Sequence, residues 1–192
     1  MSEVSTLKLV IISGTLVGSK TEIALQKSLQ FATEIEPQLE IEFINLKDFN
    51  VEMLDGRRFE KYNDDTKYVV QTISDADCYI IGSPVFQGSL PGALKNIFDH
   101  LPPKALRGKP VGFIATGSTY QHYLVIENQL KPIAGYFRSY VAPGSVYIND
   151  SHFNEHREIV DEDALQRIRN LVIEVLWMNS RISEYALFTE TS

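Results

Sequence analysis

The clearest structural signal in the sequence is Cys78-Tyr79-Ile80-Ile81-Gly82-Ser83-Pro84. An apolar run that stops at a glycine, a serine and a proline is typical of a strand buried on both faces of a parallel sheet. Similar runs cover 7–12, 41–44, 111–115 and, more weakly, 144–148. The sequence therefore predicts five parallel strands that end at small residues.

Helical periodicity fills the intervals between these strands. Apolar residues recur at helical spacing over 21–32, 91–101, 120–137 and a last helix opened by Asp161-Glu162-Asp163, with a shorter candidate at 64–74. Pro132 lies inside one of these patterns and is expected to kink or interrupt it. Strands that alternate with helices imply right-handed crossovers and a parallel sheet. The length of 192 residues then predicts one doubly wound, flavodoxin-like α/β domain over 1–192, with helices on both faces.

Composition excludes several classes of protein. The chain carries 18 Lys and Arg against 25 Asp and Glu, and this net charge of −7 disfavours broad contact with a nucleic-acid backbone. Cys78 is the only cysteine, which rules out an intrachain disulfide and fits a reducing compartment. No apolar run reaches the length of a membrane span, and residues 1–6 lack the pattern of a secretory signal. We therefore expect a soluble, cytoplasmic protein.

Three loops are expected to meet where a ligand would bind. In a sheet of this kind the ligand lies at the carboxyl ends of the strands, near the point where strand order reverses. The loops there cover 13–19, 83–90 and 116–120. The first opens a helix and offers hydroxyls beside helix N–H groups, which favours an anion. It matches neither a Walker A loop nor a dinucleotide motif, and a Ser/Thr-capped helix without a ligand explains it equally well.

The second and third loops suit a flat heteroaromatic ligand. Residues 82–92 contain two prolines and three glycines in eleven residues, beside Phe86. Such loops at strand ends are more often functional than short ones, although a simple strand–helix connection is the alternative. Residues 116–120 supply small residues and Tyr120, and the alternative there is a helix N-cap at Ser118 or Thr119.

The run Gly82-Ser83-Pro84-Val85-Phe86-Gln87-Gly88-Ser89-Leu90-Pro91-Gly92-Ala93-Leu94-Lys95-Asn96 closely resembles the signature of NADPH-dependent FMN reductases. The resemblance spans nearly the whole chain and continues through 101–110, 116–118, His122 and 130–132. Within the family the chain looks most like the small reductases that supply reduced flavin to alkanesulfonate monooxygenases. It implies a homodimer or homotetramer that transfers hydride from NADPH or NADH to FMN.

The resemblance also implies which residues hold the cofactor. Its phosphate loop corresponds to Ser13, Thr15, Ser19 and Thr21, its ring-binding loop to Ser83, Pro84, Val85, Phe86 and Gln87, and its third loop to Thr116, Gly117 and Ser118. Many members carry Arg where Val17 stands here, so either Lys20 supplies the charge opposite a phosphate or the nucleotide preference differs. Gly88 is expected to permit close approach of the backbone to the cofactor.

Hydride transfer to a flavin requires no protein nucleophile, so no catalytic side chain is predicted. The protein has to hold the nicotinamide about 3–3.5 Å from the flavin. Backbone N–H groups near Val85, Phe86 and Gln87 are expected to stabilise the charge that develops on the ring. FMN is expected rather than FAD, because the chain contains no second nucleotide motif.

Two other functions stay open from the sequence. A flavodoxin-type electron carrier would hold FMN without using NAD(P)H, and the acidic surface would suit docking to a partner protein. A reductase of quinones, azo compounds or metal oxyanions would use the same scaffold with a different acceptor.

The remaining predictions concern isolated residues. His152 and His156 have the spacing of a helical metal pair but no further ligands, so a solvated loop without metal is predicted. Cys78 is interpreted as a buried thiol, and His122 as either a phosphate contact or a surface residue. Tyr136, Tyr140 and Trp177 are interpreted as packing between helices or at a subunit interface. Phe137, Tyr140 and Trp177 fall on helical segments that already carry full apolar stripes, which, together with the resemblance, predicts a dimer or tetramer whose interface borders the flavin.

The last prediction concerns whether the flavin dissociates. In the sulfonate-system reductases the helix before Lys-Pro often carries an inserted aromatic residue or His, which is associated with flavin as a diffusible substrate. Asn128 occupies the corresponding place here and is expected to disturb the helix locally. We therefore expect moderate FMN affinity and release toward a partner monooxygenase. The alternative is that Asn128 is an ordinary surface residue and FMN stays bound.

Overall fold

The computed structural model describes residues 7–190, with side chains up to residue 182, so the prediction for residues 1–6 lies outside the described residues. Its sheet contains β1 (Lys8–Ser13), β2 (Glu40–Asn45), β3 (Cys78–Pro84), β4 (Pro110–Thr116), β5 (Tyr140–Val141) and β6 (Val146–Ile148). The strands run in the order β2-β1-β3-β4-β5, β6 also pairs with β4, and every pairing is parallel. This order confirms the flavodoxin-like α/β fold and puts the reversal of strand order between β1 and β3.

Five α-helices connect and cover the strands: α1 (Lys20–Ile35), α2 (Asp64–Asp75), α3 (Gly92–His100), α4 (Lys131–Tyr136) and α5 (Glu162–Glu190). The helices α1 and α5 pack on one face of the sheet, and α2, α3 and α4 pack on the other. Residues 50–63 form a loop that is interrupted by a 3₁₀ turn over Phe59–Lys61. In the part of the chain that the structure describes, no helix is both long and apolar enough to cross a membrane.

The central strands have no polar alternation because both of their faces are buried. On β1, Leu9 and Ile11 pack against α1 and α5, whereas Val10 and Ile12 pack against the opposite layer. All four side chains are buried. Removing apolar surface from water on both sides of the sheet stabilises it by about 25 cal/mol for each Å². The apolar runs of the sequence are therefore continuous because the core lies on both faces of the sheet.

The fifth strand position differs from the prediction of one strand over 144–148. Two short strands, β5 and β6, occupy it, and β6 alone falls within the predicted range. Pro143 stands between them and has no N–H to donate to a strand ladder. The Gly144 N–H instead donates to the Glu174 carboxylate of α5, at 2.9 Å. The proline therefore explains why the strand is broken.

The segment 120–137 is not one helix, which corrects the prediction from its periodicity. It consists of a 3₁₀ turn over Tyr120–His122, a π turn over Ile126–Leu130 and the short helix α4. Pro132 lies at the first positions of α4, where its missing N–H costs no hydrogen bond, so the predicted interruption is confirmed. The π turn contains Asn128, and the wider turn changes which side chains face the core. Tyr123 is exposed, although a single helix over 120–137 would place it on the same side as the buried Ile126 and Leu130.

The aromatic residues predicted at an interface have three different environments. Phe137 is buried in the core against Phe98, so it is not available to another subunit. Tyr140 lies in β5 rather than on a helix. Tyr136 and Trp177 are both exposed and lie on α4 and α5. The prediction was therefore wrong for Phe137 and for the element that carries Tyr140.

Cys78 is buried at the start of β3, which confirms the prediction of a structural thiol. Burial raises the pKa of its thiol to about 12. Because the thiolate is the reactive form, we expect the folded protein to resist a thiol reagent at about pH 8 and to react fully once it is denatured. Reaction of the native protein as fast as that of the denatured chain would contradict this assignment.

Candidate functional site

A cavity of about 440 Å³ opens at the carboxyl edge of the sheet, beside the reversal of strand order. Its volume lies within the range of small-molecule sites. The loops after β1, β3 and β4 line it, together with two residues from the segment after β6. The lining residues are Val17, Gly18, Ser19, Lys20, Thr21, Pro84, Val85, Phe86, Thr116, Gly117, Ser118, Asp150 and Arg157. The three loops that were predicted to meet therefore line one cavity.

The first loop does not cap its helix in the usual way. Ser19 holds the N-cap position of α1, yet its side chain makes no capping hydrogen bond, and its hydroxyl accepts one from Arg157 at 3.3 Å. Thr21, in the first turn of α1, shares a buried hydrogen bond of 2.7 Å with Thr116 at the end of β4. The first turn of a helix also leaves N–H groups without an intrahelical acceptor. This end of the cavity is therefore built from hydroxyl and N–H donors.

Three of the residues assigned to the site lie beneath the cavity rather than on its lining. Ser13, Thr15 and Ser83 are buried at strand ends. The Thr15 hydroxyl donates to the Val17 carbonyl, and the Ser83 hydroxyl donates to the Pro84 carbonyl. Both hydroxyls therefore shape the loops from below. The Ser13 hydroxyl, which is also buried, has no hydrogen-bond partner among the described residues.

The second loop is a tight hairpin whose first residue faces the cavity. Phe86 and Ser89 exchange two backbone hydrogen bonds, and the residues between them, Gln87 and Gly88, both have positive φ (52° and 77°). Positive φ at both central residues is the signature of a type I′ turn. Gln87 and Gly88 lie at the tip and do not line the cavity, whereas Pro84, Val85 and Phe86 form its apolar wall.

The main-chain donors of this loop are fewer than the sequence suggested. The Val85 N–H donates to the Thr116 carbonyl at 2.8 Å, and the Phe86 N–H donates to the Ser89 carbonyl at 2.9 Å. Both groups are therefore committed to the fold and are not free to stabilise charge on a ligand. Of the backbone N–H groups of Val85, Phe86 and Gln87, only that of Gln87 has no acceptor within the described part of the chain.

Gln129, which the sequence did not single out, fastens this hairpin to the π turn. Its side-chain carbonyl accepts from the Ser89 hydroxyl at 2.6 Å and from the Leu90 N–H at 3.3 Å, while its amide donates to the Gly88 carbonyl at 3.1 Å. A polar residue on an otherwise amphipathic segment carries no sequence signal for such a role. The π turn is what aims it at the loop.

Replacing Gln129 with alanine should loosen the hairpin and weaken ligand binding without unfolding the protein. The loss of three hydrogen bonds predicts about 1–3 kcal/mol of lost stability and a Kd for the ligand raised about 3- to 10-fold, measured by fluorescence titration. Gln71→Ala is the matched control, because Gln71 bonds only Asp75 on the surface of α2. Equal effects of the two substitutions would contradict the role assigned to Gln129.

The third loop combines its two predicted roles. Thr116, Gly117 and Ser118 line the cavity, while the Thr119 hydroxyl caps the following 3₁₀ turn, so Thr119 rather than Ser118 is the cap. Tyr147 lies behind the loop and donates to the Thr119 carbonyl at 2.6 Å. Burial raises the pKa of Tyr147, with a smaller contribution from Asp150, which keeps this donor protonated.

The segment 149–160 is the part of the site that the sequence interpretation missed. It contributes Asp150 and Arg157 to the cavity, and Lys20 forms an ion pair of 2.5 Å with Asp150. His152, predicted to be solvated, is instead buried: its Nδ1 accepts from the Asn149 N–H, and its Nε2 lies 3.1 Å from the Tyr120 hydroxyl. The sequence could have indicated this segment, because it follows the carboxyl end of β6 and therefore lies at the same edge of the sheet as the three loops.

Other residues considered from the sequence lie away from these contacts. His122 is exposed on the 3₁₀ turn after the third loop and does not line the cavity. His156 is exposed and lies beside Glu155. No cluster of metal-binding side chains is found within the described residues.

The donors and walls of the cavity suit a ligand with a phosphate at one end and a flat ring at the other. Hydroxyls of Ser19 and Thr21, helix N–H groups and the Arg157 guanidinium converge at the α1 end, as phosphate recognition requires. Pro84, Val85 and Phe86 supply apolar surface at the opposite side. The residues present therefore fit a flavin mononucleotide.

Comparison with known proteins identifies the family. The model of the family described as NADPH-dependent FMN reductase matches residues 7–153. The chain is 55% identical over 173 residues to an NAD(P)H-dependent FAD/FMN reductase of Geobacillus thermodenitrificans, covering 90% of this chain and 94% of the relative. It is 27% identical over 169 residues to the NADH-dependent FMN reductase SfnF of Pseudomonas putida, covering 88% and 90%.

A solved oxidoreductase structure from Corynebacterium diphtheriae superposes with a TM-score of 0.77 at 23% identity, covering 93% of this chain and 98% of that one. This likeness shows the fold. The match of the family model over most of the chain, together with the 55% identity, shows more than the fold. The chain therefore belongs to the NADPH-dependent FMN reductase family.

Proposed function

We propose that the cavity at the carboxyl edge of the sheet binds FMN and that the chain catalyses the reduction of FMN by NAD(P)H. The observation that carries this proposal is the meeting of a phosphate-type donor set at α1 with an apolar wall at 84–86, in a chain of this family. When bound, FMN would supply the hydride-accepting chemistry. One flavodoxin-like domain over 1–192 would contain the whole site.

The residues of the chain would bind and orient rather than react. Ser19, Thr21 and the first-turn amides of α1 would hold the phosphate. Pro84, Val85 and Phe86 would pack on the ring. The Gln87 N–H, at the tip of the hairpin, is the main-chain donor that the contacts of this loop leave without an acceptor. Ser13, Thr15 and Ser83 would support these groups from beneath. No side chain of the cavity is required as an acid, base or nucleophile.

The same cavity would set which flavin and which nicotinamide nucleotide the protein uses. FMN is proposed over FAD because the chain has no second nucleotide motif, although the Geobacillus relative is named for both flavins. The names of the two relatives specify NAD(P)H in one and NADH in the other, so either nicotinamide nucleotide is a candidate donor. Titration of the protein with both flavins tests the first point, and clearly tighter binding of FAD would contradict it.

We further propose that FMN is a diffusible substrate. The π turn over Ile126–Leu130 contains Asn128 and lies beside the second loop, to which it is joined only through the Gln129 side chain among the hydrogen bonds described. A hairpin tip that one amide side chain fastens to the π turn is consistent with moderate affinity. Release of reduced flavin would serve a partner flavin-dependent monooxygenase. Sequential kinetics with loss of FMN on gel filtration would support this proposal; ping-pong kinetics with FMN retained would contradict it.

A homodimer or homotetramer in the cytoplasm is the proposed setting. The exposed aromatic side chains of Tyr136, Tyr140 and Trp177 provide apolar surface that a second copy would cover. The lone reduced cysteine, Cys78, is compatible with a reducing compartment. Light scattering at micromolar concentration tests the assembly, and a monomer would contradict it.

Steady-state oxidation of NADPH and NADH with added FMN tests the main proposal. The rate should saturate in both nucleotide and flavin and should stay at the background level when either is left out. Tight FMN binding without oxidation of either nucleotide would favour the electron carrier. Fast turnover with quinones or azo compounds, but none with free FMN, would favour the alternative acceptors.

A further inference from the structure

The segment 149–160 forms a hairpin across the α1 end of the cavity. Phe153 and Ile159 pair as an isolated antiparallel bridge, and the Asn154 N–H donates to the Glu158 carbonyl at 3.0 Å. The Asn154 side chain bonds both the main chain and the carboxylate of Glu158. This tight turn places Arg157 at its tip with a φ of 62°. The hairpin is therefore a built structure that presents one cation.

The hairpin is tied to the cavity at three points. The Lys20 ammonium pairs with Asp150 at 2.5 Å and lies 5.7 Å from the centre of the Phe153 ring. The His152 ring lies within hydrogen-bond distance of the Tyr120 hydroxyl. At the tip, the Arg157 guanidinium donates to the Ser19 hydroxyl at 3.3 Å. These contacts orient Arg157 toward the N-terminus of α1.

Arg157 is the uncompensated charge of the cavity. Lys20, expected from the sequence to face a phosphate, is neutralised by Asp150, which also lines the cavity. Among the residues that the structure describes, no carboxylate pairs with Arg157. Val17, at the first-loop position where many family members carry Arg, is an apolar side chain. A dianionic phosphate bound at α1 would therefore find its counter-charge on the hairpin and not in the first loop.

We propose that Arg157 is the cationic ligand of the FMN phosphate, an inference that rests on the proposed function. Its planar fork can donate two parallel hydrogen bonds to phosphate oxygens, which a lysine cannot do. Residue 157 lies beyond the range 7–153 that matches the family model, so this ligand comes from a part of the chain that the shared motif does not include. The Arg157 guanidinium would bind the 2′-phosphate of NADPH through the same kind of hydrogen bonds. The experiment therefore distinguishes the phosphate of FMN from that of NADPH.

The test compares Arg157→Asn with Arg138→Asn. Asn tolerates positive φ better than most residues, so the turn should survive the change. Arg138 has nearly the same φ, 57°, is also exposed, and lies outside the cavity. For Arg157→Asn we expect the Kd for FMN to rise about 10- to 100-fold while the Kd for riboflavin, which lacks the phosphate, changes less than about 3-fold. Arg138→Asn should leave both constants unchanged.

An unchanged Kd for FMN would overturn the inference. Equal losses for FMN and riboflavin would overturn it as well, because they would show that the hairpin acts on the ring or on the fold. A raised KM for NADPH, with unchanged KM for NADH and unchanged Kd for FMN, would assign Arg157 to the nucleotide and also overturn it. Wild-type protein that binds neither flavin would contradict the proposed function itself.

Discussion

Substitution of Gly117 by alanine is expected to raise the Kd for FMN more than about 10-fold and to lower the free energy of unfolding by about 1–3 kcal/mol. A Cβ built on Gly117 would overlap the Tyr147 hydroxyl oxygen and would lie 3.2 Å from Cζ of the same ring. Tyr147 is held in place by its hydrogen bond to the Thr119 carbonyl and has little room to withdraw. The third loop would therefore move, and the cavity wall would move with it.

The double variant Gly117→Ala with Tyr147→Phe separates this clash from a general loss of flexibility. Tyr147→Phe alone removes one hydrogen bond and should cost about 1 kcal/mol. Because it also removes the overlapping oxygen, the double variant should be more stable than the sum of the single changes predicts. Additive losses, with no recovery of FMN affinity in the double variant, would contradict the explanation.

Substitution of Gly88 by valine is expected to raise the Kd for FMN at least about 10-fold while the protein stays folded. No protein atom lies within 4 Å of a Cβ built on Gly88, so the expected effect does not arise from a clash within the protein. The structural reason is its φ of 77°, which a β-branched residue adopts only with strain. Relief of that strain would open the Phe86–Ser89 turn and displace the Phe86 wall.

Gly56→Val is the matched control for this change. Gly56 also has positive φ (84°) and open space around its Cβ, but it lies in the loop 50–63, away from the cavity. Both variants should lose comparable stability, measured by denaturant unfolding, and only Gly88→Val should lose FMN affinity. Unchanged FMN affinity in a folded Gly88→Val variant would show that the second loop is only a connection.

The fold was predictable because its signal lies in local pattern. Apolar runs that stop at Gly82, Ser13 or Thr116 mark strands buried on two faces, and the strand–helix alternation leaves few topologies. The errors came where one residue overrides a pattern. Pro143 divides the fifth strand, and the π turn before Pro132 shifts the phase of a periodicity that otherwise indicates a single helix.

The site was predictable in its loops but not in its long-range contacts. The positions of Ser19, Phe86 and Ser118 follow from the ends of adjacent strands, which meet at one edge of any parallel sheet. Arg157 and Gln129 reach the site through a hairpin tip and a π turn, and neither has a spacing that sequence analysis recognises. The pairing of Lys20 with Asp150, 130 residues apart, was likewise inaccessible without the fold.

A crystal structure of the chain with FMN bound would show whether the cavity at the carboxyl edge of the sheet is the flavin site. We expect the phosphate at the first turn of α1, within hydrogen-bond distance of the Ser19 hydroxyl and the Arg157 guanidinium. We expect the ring against Pro84 and Phe86. FMN in the second cavity of similar volume, between α3 and α4 and lined by Phe98 and Tyr136 among others, would contradict the account.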